Sequence, residues 1–474
     1  MHNNTMQILV EFSKKRFNML FEETNAALEG AKKLFFVGIG GISMSSIAFV
    51  FASRGYEVSG SDRAESDMTR KLAASGIKVY RGHDAAHVAG ADAVIYTGAV
   101  NEQNPEIAEA KRLGLPIIYR ADALGYMMKK YGTRIGVSGS HGKSTCTAMI
   151  SHILIASGAD PTVMCGAETA EMGGAYRVGG GEDFVFEACE YKDSFLGFFP
   201  SASVVLNIDL DHTDYFTEGL PQIKASFRKY ALIALESGGA AIANADDENT
   251  ASALAGLPLI TFGVKNNADF TAENISYESG YAEFDIIKRG AHFCRVRMSI
   301  PGEHNVYNAL AAAAACDLAG VSPEDIGRYI SDFTGLSRRF EKKGSTHGAD
   351  VYIDYAHHPR ELRAAVAAAK KLCRGKLTCV FEPHTYSRTY SLFDEFAASF
   401  AGADRVIFTD IYAAREVNTY GVSSAQLAEA AGGEYAPTYA EAAEKVNGGV
   451  GEGDLVLVLG AGTVTEVAKL LCGE

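Results

Sequence analysis

The chain has 474 residues, of which 47% are hydrophobic, so it can bury several cores and divides into about three domains of ordinary size. Its formal net charge of -14 excludes nucleic acid as a general partner, because phosphate backbones bind to basic surfaces. No apolar run is long enough to span a membrane. Eight scattered cysteines without a Cys-x-x-Cys pair indicate free thiols in a reducing cytoplasm.

The first predicted βα segment follows an N-terminal extension. Residues 1–30 interleave charged and apolar residues, which predicts an amphipathic helix, since a signal peptide needs an uninterrupted apolar core. Strands and helical stretches then alternate, and this alternation predicts a parallel sheet covered by helices on both faces. The predicted strands are residues 33–37, 56–59, 78–80, 93–96 and 116–119.

A glycine-rich turn follows the first predicted strand. It reads Gly38-Ile-Gly40-Gly41-Ile-Ser43, and Asp62 comes shortly after the second strand. This spacing is typical of turns that bind a nucleotide diphosphate at a helix N-terminus, although serine replaces the third glycine. The residues alone leave three interpretations open: a nicotinamide or flavin dinucleotide site, a site for another nucleotide diphosphate, and a structural turn.

The most informative motif lies between a short apolar strand at 135–137 and a helix that is predicted to end near Gly158. It reads Gly139-Ser140-His141-Gly142-Lys143-Ser144-Thr145. Backbone N–H groups and the helix dipole converge there, which favours phosphate. Lys143 is predicted to reach the outer phosphates and the Ser144 hydroxyl to bind Mg²⁺. The motif is a variant P-loop, because Val137 replaces the first glycine of the usual pattern.

Acidic residues and a histidine follow the next two predicted strands. Glu187 comes after the strand at 184–186, and Asp209, Asp211 and His212 come after the strand at 203–208. The carboxyl ends of strands are where open α/β sheets bind ligands, so these side chains are candidate Mg²⁺ partners beside the P-loop. The alternative is that the aspartates only cap a helix.

The rest of the chain predicts an antiparallel edge and a third βα segment. Residues 270–300 alternate polar and apolar side chains, and an alanine-rich helix runs from His304 to Leu318. Four further strands, at 350–354, 377–381, 405–409 and 454–459, are each followed by polar residues or glycine, and Pro359 is placed to start a helix. We therefore predict an α/β protein with domains at 1–131, 132–336 and 337–474.

Taken in order, these motifs resemble the signatures of the Mur ligases, and the resemblance extends from Lys33 to the C-terminus. The Gly38 turn and the P-loop carry it first. The other segments that carry it are Glu187-Ala-Cys-Glu190, Asn207-Ile-Asp-Leu-Asp-His212, Gly302-Glu-His-Asn305, Arg338-Arg-Phe340, Asp354-Tyr-Ala-His-His-Pro359, Glu382-Pro-His-Thr-Tyr-Ser-Arg388 and Thr409-Asp-Ile-Tyr-Ala-Ala-Arg-Glu416. The last two are specific to the branch that adds L-alanine.

The resemblance implies a three-domain cytoplasmic enzyme that is a monomer or a weak homodimer. A Rossmann-like first domain would bind UDP-N-acetylmuramate, the P-loop domain would bind ATP and Mg²⁺, and a Rossmann-like third domain would bring L-alanine. The carboxylate would be activated as an acyl phosphate and then attacked by the amine of alanine, a step in peptidoglycan synthesis. This reading replaces the nicotinamide interpretation of the Gly38 turn.

The resemblance also implies individual roles. Gly38, Gly40, Gly41 and Ser43 would cradle the UDP diphosphate, with Asp62 near the uridine. The P-loop residues 139–145 would bind the ATP phosphates, and Ser144, Glu187 and His212 would bind Mg²⁺, with Lys143, Glu187 and His212 as the catalytic set. His304, Asn308, Arg339 and Asp354 would contact the nucleotide, and Tyr355, His357 and Arg388 would form the alanine pocket.

Two further positions and three alternative functions complete the expectations. Phe227 stands where several Mur ligases carry a carbamylated lysine, so the nearby Lys224 is not assigned that role.

A ligase that attaches a ready-made peptide shares the early motifs but is not expected to keep the segment at 384–388. If the chain were a nicotinamide-dependent oxidoreductase, the P-loop would have no function. If it were a nucleotide-switch protein, the His-rich third domain would have none.

Overall fold

The computed structural model describes residues 22–473 except 102, 170, 213, 214, 279 and 415. Most of the predicted N-terminal extension lies outside the described residues, whereas 22–29 are helical. The described chain forms two compact units. Unit 1 runs to Thr261 and includes Ala314–Val321, and unit 2 comprises Phe262–Ala313 and the chain from Ser322 onward. None of the described helices combines the length and the apolar character needed to cross a membrane.

A five-stranded parallel sheet forms the first part of unit 1, in the order β3-β2-β1-β4-β5. The side chains of β1 after Lys33 are all buried, because helices cover the sheet on both sides. The predicted parallel sheet is therefore confirmed. The elements are β1 (Lys33–Val37), α1 (Ile42–Ser53), β2 (Glu57–Asp62), α2 (Asp67–Ala74), β3 (Lys78–Arg81), β4 (Ala93–Tyr96), α3 (Pro105–Leu113), β5 (Ile117–Tyr119) and α4 (Arg120–Met128).

The second part of unit 1 contains the P-loop, and its strands lie in the order β11-β10-β6-β9-β7-β8. All neighbours are parallel except β8, which pairs antiparallel with β7. The elements are β6 (Thr133–Ser138), α5 (Lys143–Ala156), β7 (Thr162–Thr169), β8 (Gly174–Arg177), β9 (Asp183–Glu187), β10 (Ala202–Val205), α6 (Leu220–Glu236), β11 (Ala240–Asn244) and α7 (Glu248–Ala253). A Cβ at Gly136 in β6 would lie 2.1 Å from the Tyr230 hydroxyl, so only glycine lets α6 pack this closely.

Unit 2 contains the antiparallel strands and the third sheet. The predicted antiparallel edge is confirmed by the pairing of β13 (Phe270–Ser276) with β14 (Glu283–Lys288) and of β14 with β15 (Ala291–Arg297). Strand β12 (Leu259–Gly263) begins in unit 1 and pairs with β13 from Phe262. Two helices follow, α8 (His304–Leu318) and α9 (Pro323–Asp332).

The third sheet has the order β16-β17-β21-β18-β19-β20, with β16 antiparallel to β17 and the rest parallel. Pro359 is the first residue of its helix, as predicted. The strands are β16 (Glu341–Thr346), β17 (Ala349–Asp354), β18 (Leu377–Phe381), β19 (Arg405–Phe408), β20 (Glu434–Tyr435) and β21 (Leu455–Leu459). The helices are α10 (Pro359–Leu372), α11 (Tyr386–Ser391), α12 (Phe393–Ala397), α13 (Ser424–Ala430), α14 (Tyr439–Asn447) and α15 (Thr465–Cys472).

All eight cysteines lie among the described residues, and none forms a disulfide. The prediction of free thiols is therefore confirmed. Cys146 in α5, Cys316 in α8 and Cys379 in β18 are completely buried. Burial raises the pKa of these three thiols well above the ordinary value, so they stay protonated in the folded protein.

Candidate active site

The P-loop has the strand–turn–helix geometry that the sequence predicts. The turn leaves β6 at Gly139 and enters α5 at Lys143, with Gly142 at the N-cap in the left-handed conformation (φ 84°). A Cβ at Gly139 would lie 3.0 Å from the Cβ of Leu206, so this glycine allows close approach to the neighbouring strand. Both glycines are thus required by the backbone. The backbone N–H groups at the N-terminus of α5 point out of the helix end, which is the arrangement that binds phosphate in other proteins.

Two residues after β10 hold the P-loop in place. The Asn207 side-chain oxygen accepts the His141 amide (2.8 Å), and its side-chain nitrogen donates to the His141 carbonyl (3.0 Å). The Asp209 amide donates to the Ser140 hydroxyl at 2.8 Å, and the Asp209 carboxylate lies 3.0 Å from the His141 Nε2. The strand predicted to reach residue 208 ends at Val205, and the residues after it bind the loop instead.

Lys143 and Glu190 form a buried ion pair beside this loop. The Lys143 Nζ lies 3.1 Å from the Glu190 Oε2 and donates to the Gly139 carbonyl at 2.5 Å. Burial alone disfavours the ammonium, but the surrounding acidic groups, Glu190 foremost and Glu187 with it, together outweigh burial, so the pKa of Lys143 lies above its ordinary value. The predicted phosphate-binding lysine therefore carries a full positive charge. Glu190 was not among the predicted site residues, although it belongs to the motif that follows β9.

Ser144 and Glu187 are brought together as predicted. The Ser144 hydroxyl donates to the Glu187 Oε2 at 2.7 Å, and the Gly166 amide donates to the same oxygen at 2.9 Å. Across the described part of the chain, no group of three or more His, Cys, Asp or Glu side chains is arranged to hold a metal ion. A hydroxyl and one carboxylate nevertheless fit Mg²⁺, which usually takes one or two protein oxygens together with substrate phosphates and water.

His212 lies beside Glu190. Its Nε2 is 3.7 Å from the Glu190 Oε1, and its ring centroid is 4.7 Å from that of Tyr191. His212, Lys192 and Asp193 all have positive φ, between 52° and 56°, which is costly for residues with side chains and is concentrated at functional sites. The Asp193 carboxylate accepts hydrogen bonds from the Tyr215 hydroxyl (2.8 Å) and from Ser226, and these bonds hold the strained segment.

The glycine-rich turn after β1 is fixed by the end of β2. The amides of Gly38 and Ile39 donate to the Ser61 carbonyl at 2.8 and 2.9 Å, and the Gly40 amide donates to the Asp62 Oδ2 at 2.8 Å. One carboxylate oxygen of Asp62 is therefore bound to the turn itself. Ser43 accepts a hydrogen bond from the Arg120 Nη1 at 2.8 Å, which places a cation beside the start of α1.

The predicted adenine residues of unit 2 lie in the first two turns of α8. His304 is the first residue of this helix. The side-chain nitrogen of Asn308 donates to the Asn305 side-chain oxygen at 2.9 Å, and Asn305 in turn donates to the Pro301 carbonyl at 2.7 Å. Both asparagines are buried, so their amides are held in fixed orientations.

Asp354, at the end of β17, organises the segment Arg338–Phe340. Its Oδ2 accepts the Phe340 amide at 2.8 Å, and its Oδ1 accepts the Ala356 amide at 2.7 Å. The guanidinium groups of Arg338 and Arg339 lie 4.8 and 5.0 Å from the centre of the Tyr355 ring. Burial raises the pKa of Asp354 to about 6, and Arg339 limits the rise. Asp354, Arg339 and Tyr355 thus form one cluster.

We expect Asp354→Asn to reduce the pH dependence of the free energy of unfolding. The folded chain holds the Asp354 proton more tightly than the unfolded chain, so this contribution to stability is complete below about pH 4 and is lost as pH rises through about 6. A change in pKa from 3.8 to about 6 corresponds to roughly 3 kcal/mol. Urea unfolding of both proteins at several pH values measures the difference, and parallel stability curves would contradict this assignment.

The predicted alanine residues His357 and Arg388 lie with His384. The rings of His357 and His384 are 5.8 Å apart, and the Arg388 Nη1 is 3.4 Å from the His384 Nδ1. Burial lowers the pKa of both histidines, that of His384 to about 4, with Arg388 contributing to each shift. The imidazoles are therefore neutral near pH 7, and the Arg388 guanidinium gives the cluster a positive charge that suits a carboxylate.

Two residues beside this cluster, Tyr412 and Glu416, lie in a segment that carries the family resemblance but were not predicted as site residues. Tyr412 stacks on His384 with ring centroids 5.6 Å apart. The Glu416 carboxylate accepts hydrogen bonds from the Ser387 amide (2.9 Å) and hydroxyl (2.5 Å), which fixes the first turn of α11 and thereby Arg388. The sequence did contain a signal for both residues, because they follow β19, which lies next to β18 in the sheet. Residues that follow neighbouring parallel strands meet at the same edge of the sheet.

Comparison with known proteins agrees with this geometry. Three family models match in chain order: the Mur ligase family catalytic domain at residues 33–132, the Mur ligase middle domain at 137–316 and the Mur ligase glutamate ligase domain at 338–462. The UDP-N-acetylmuramate–L-alanine ligase of Caldicellulosiruptor saccharolyticus is 46% identical over 447 residues, which cover 93% of this chain and 98% of the relative. The enzyme of the same name from Clostridium perfringens is 40% identical, with 93% and 97% covered.

Solved structures give the same result. The UDP-N-acetylmuramate-alanine ligase from Thermotoga maritima superimposes with a TM-score of 0.77 at 28% identity, covering 93% of this chain and 98% of that one. A murein peptide ligase from Psychrobacter arcticus, with a TM-score of 0.65 at 23% identity and the same coverage, shares the fold. The three matching family models, the identity of 40% or more over nearly the whole length and the P-loop geometry lead to one conclusion: the chain belongs to the Mur ligase family.

Proposed function

We propose that this chain is the ATP-dependent, ADP-forming ligase that joins L-alanine to the lactyl carboxylate of UDP-N-acetylmuramate in peptidoglycan synthesis. The observation that carries the proposal is the match, over 93% of the chain, to curated relatives that bear this name. The ammonium of Lys143 beside the Ser144–Glu187 pair supports it, since phosphoryl transfer from ATP requires a cation and a Mg²⁺ site of this kind. The enzyme acts in the cytoplasm as a monomer or weak homodimer.

The chemistry follows from the poor reactivity of a carboxylate. An oxygen of the lactyl carboxylate attacks the ATP γ-phosphorus, ADP leaves, and an acyl phosphate results. The amine of alanine then attacks the acyl carbon, and phosphate leaves as the amide forms. Both steps bring anions together, so the protein contributes positioning and positive charge, and the proposed route uses none of the eight cysteines as a nucleophile.

Each group in unit 1 has a proposed role in this route. Lys143 and the amides of the P-loop neutralise the phosphates. Ser144 and Glu187 would hold Mg²⁺, which would supply positive charge beside the transferred phosphoryl group. His212 would be a ligand of a second Mg²⁺, which would supply positive charge for the carboxylate that is activated. The turn at Gly38–Ser43 binds the diphosphate of the UDP sugar, with Asp62 fixing that turn.

The groups in unit 2 complete the proposal. His304 and Asn308 bind the adenine of ATP, and Arg339 with Asp354 contacts the nucleotide. Tyr355, His357 and Arg388 bind L-alanine, with Arg388 paired to its carboxylate. We retain the division into domains at 1–131, 132–336 and 337–474, because each domain then contains one of the three sheets.

Phosphate release tests the proposed function directly. The protein is mixed with ATP, Mg²⁺ and UDP-N-acetylmuramate, and the rates with L-alanine, glycine, L-serine and a tripeptide are compared. We expect L-alanine to give the highest kcat/KM, with glycine and serine lower by about 10- to 200-fold, because one small group changes pocket affinity by about 1–3 kcal/mol. A preference for the tripeptide would instead assign the chain to the peptide-attaching ligases.

We expect Gly40→Val to abolish UDP-N-acetylmuramate binding. A side chain at this position would lie 2.8 Å from both the Asp62 Oδ2 and the Thr69 Cγ2, so it would break the bond that fixes the turn, besides obstructing the diphosphate. Calorimetry should show binding to the wild type and none to the variant, with ATP binding retained. Micromolar binding of NADH to the wild type, lost in the same variant, would restore the dinucleotide interpretation.

A further inference from the structure

A buried carboxylate lies behind the glycine-rich turn and outside the proposed catalytic groups. The side chain of Glu106, in the first turn of α3, has no exposure to solvent. It nevertheless has three polar neighbours: the Nδ1 of His83 at 2.7 Å, the Nδ1 of His87 at 2.9 Å and the hydroxyl of Ser61 at 2.7 Å. A carboxyl group is costly to bury unless its oxygens are hydrogen-bonded, and three side chains lie within hydrogen-bond distance of those of Glu106.

Ser61 links this cluster to the turn. Its hydroxyl donates to Glu106 and lies 3.0 Å from the His83 Nδ1, whereas its carbonyl accepts the amides of Gly38 and Ile39. The next residue, Asp62, accepts the amide of Gly40. Three successive amides of the turn therefore donate to two residues of β2, Ser61 and Asp62. Of these two residues, Ser61 is held by the side chain of Glu106.

His87 and the helix that carries Glu106 are themselves held by neighbours. The ring of His87 stacks on Tyr80 with centroids 4.1 Å apart and lies 6.4 Å from the ring of Phe35 in β1. Asn104 caps α3 by accepting the Glu106 amide at 2.9 Å, which sets the start of the helix that carries the carboxylate. The His87 ring and the start of α3 are thus both held in place, and a residue that positions another group needs this kind of support.

We infer that Glu106, with His83 and His87, is a positioning group for the UDP-sugar diphosphate and acts through Ser61 on the turn at Gly38–Gly40. This inference rests on the proposed function. The amides of Gly38, Ile39 and Gly40 donate to β2, so the amides left for a diphosphate are those in the first turn of α1. These amides converge on a diphosphate without reorganisation only if the turn before them is fixed. Loosening the end of β2 should therefore weaken binding of UDP-N-acetylmuramate and leave the ATP site unchanged.

Calorimetry with UDP-N-acetylmuramate, and separately with ATP, tests this inference in the full-length chain. Ser61→Ala should raise the Kd for the UDP sugar about tenfold and Glu106→Gln about 10- to 50-fold, with the Kd for ATP within about twofold of wild type. The double variant should bind like Glu106→Gln alone, because the hydroxyl acts through the carboxylate. Glu171→Gln is the matched control, since Glu171 pairs with His152 at 2.8 Å elsewhere in unit 1.

The outcomes separate the inference from the proposed function. If the wild type does not bind the UDP sugar, the proposed function fails and the inference fails with it. If the wild type binds but Ser61→Ala has an unchanged Kd, or if both Kd values rise together, only the inference is overturned. If Glu106→Gln does not fold, the test rests on Ser61→Ala alone. The Ser61→Ala variant removes one hydroxyl and leaves the contacts of Glu106 with His83 and His87 in place.

Discussion

Replacing Lys143 by alanine is expected to reduce turnover by a factor on the order of 10³, because a charge that neutralises the transferred phosphoryl group is lost. Binding of UDP-N-acetylmuramate should persist, since its proposed site, the turn at Gly38–Ser43, belongs to a different sheet. Steady-state phosphate release and calorimetry measure the two quantities. A variant that keeps more than about a tenth of wild-type turnover would exclude this role for Lys143.

The buried ion pair makes a second variant necessary. Lys143→Ala leaves the Glu190 carboxylate buried without its nearest cation, and breaking a buried pair costs about 3–5 kcal/mol of stability. We expect Lys143→Ala with Glu190→Gln to recover most of this stability without recovering turnover. Lys224→Ala is the matched control, and it should retain wild-type turnover because Lys224 has no assigned role. Recovery of turnover in the double variant would mean that the loss came from misfolding.

For Arg388→Lys we expect a rise of about 30- to 1000-fold in the KM for L-alanine. Lysine keeps the charge but cannot form two parallel bonds to a carboxylate, and losing such a partly buried pair costs about 2–4 kcal/mol. The lysine would also lose the contact between the guanidinium and His384. ADP formation at saturating alanine should fall much less than kcat/KM, since forming the acyl phosphate needs no carboxylate on the amino acid.

Two comparisons check the assignment of Arg388. L-Alaninamide keeps the attacking amine and lacks the carboxylate, so the wild type should use it poorly and Arg388→Lys should discriminate less between the two substrates. Arg363→Lys, at an exposed position on α10, is the matched control and should leave the KM unchanged. Equal use of alanine and alaninamide by the wild type would remove Arg388 from the alanine site.

The sequence predicted best those features that depend on local pattern. Lys33–Val37, Ala93–Tyr96 and Leu377–Phe381 are predominantly apolar, as buried parallel strands are, and their bounds were predicted correctly. The P-loop was identified because few other arrangements place Gly-Lys-Ser between a strand and a helix. Strands β7 and β8 were missed, since glycine and polar residues interrupt their apolar pattern.

Contacts between distant parts of the chain could not be read from pattern alone. Glu190 pairs with Lys143 across 47 positions, and Asn207 binds His141 across 66. The family resemblance implied that Asp62 lies near the uridine, but its bond to the Gly40 amide depends on the register of β1 with β2. His384 was present in a motif, yet its low pKa arises from burial, which a motif does not report.

The three completely buried thiols give the enzyme internal reporters of local opening. Cys146 lies in the helix that follows the P-loop, Cys316 in α8 and Cys379 at the centre of the third sheet. A thiol in this state reacts with an alkylating reagent only after its surroundings open, so its labelling rate measures the free energy of that opening. Mass spectrometry of labelled peptides, with and without ATP or the UDP sugar, would therefore follow how each substrate stabilises its own part of the chain.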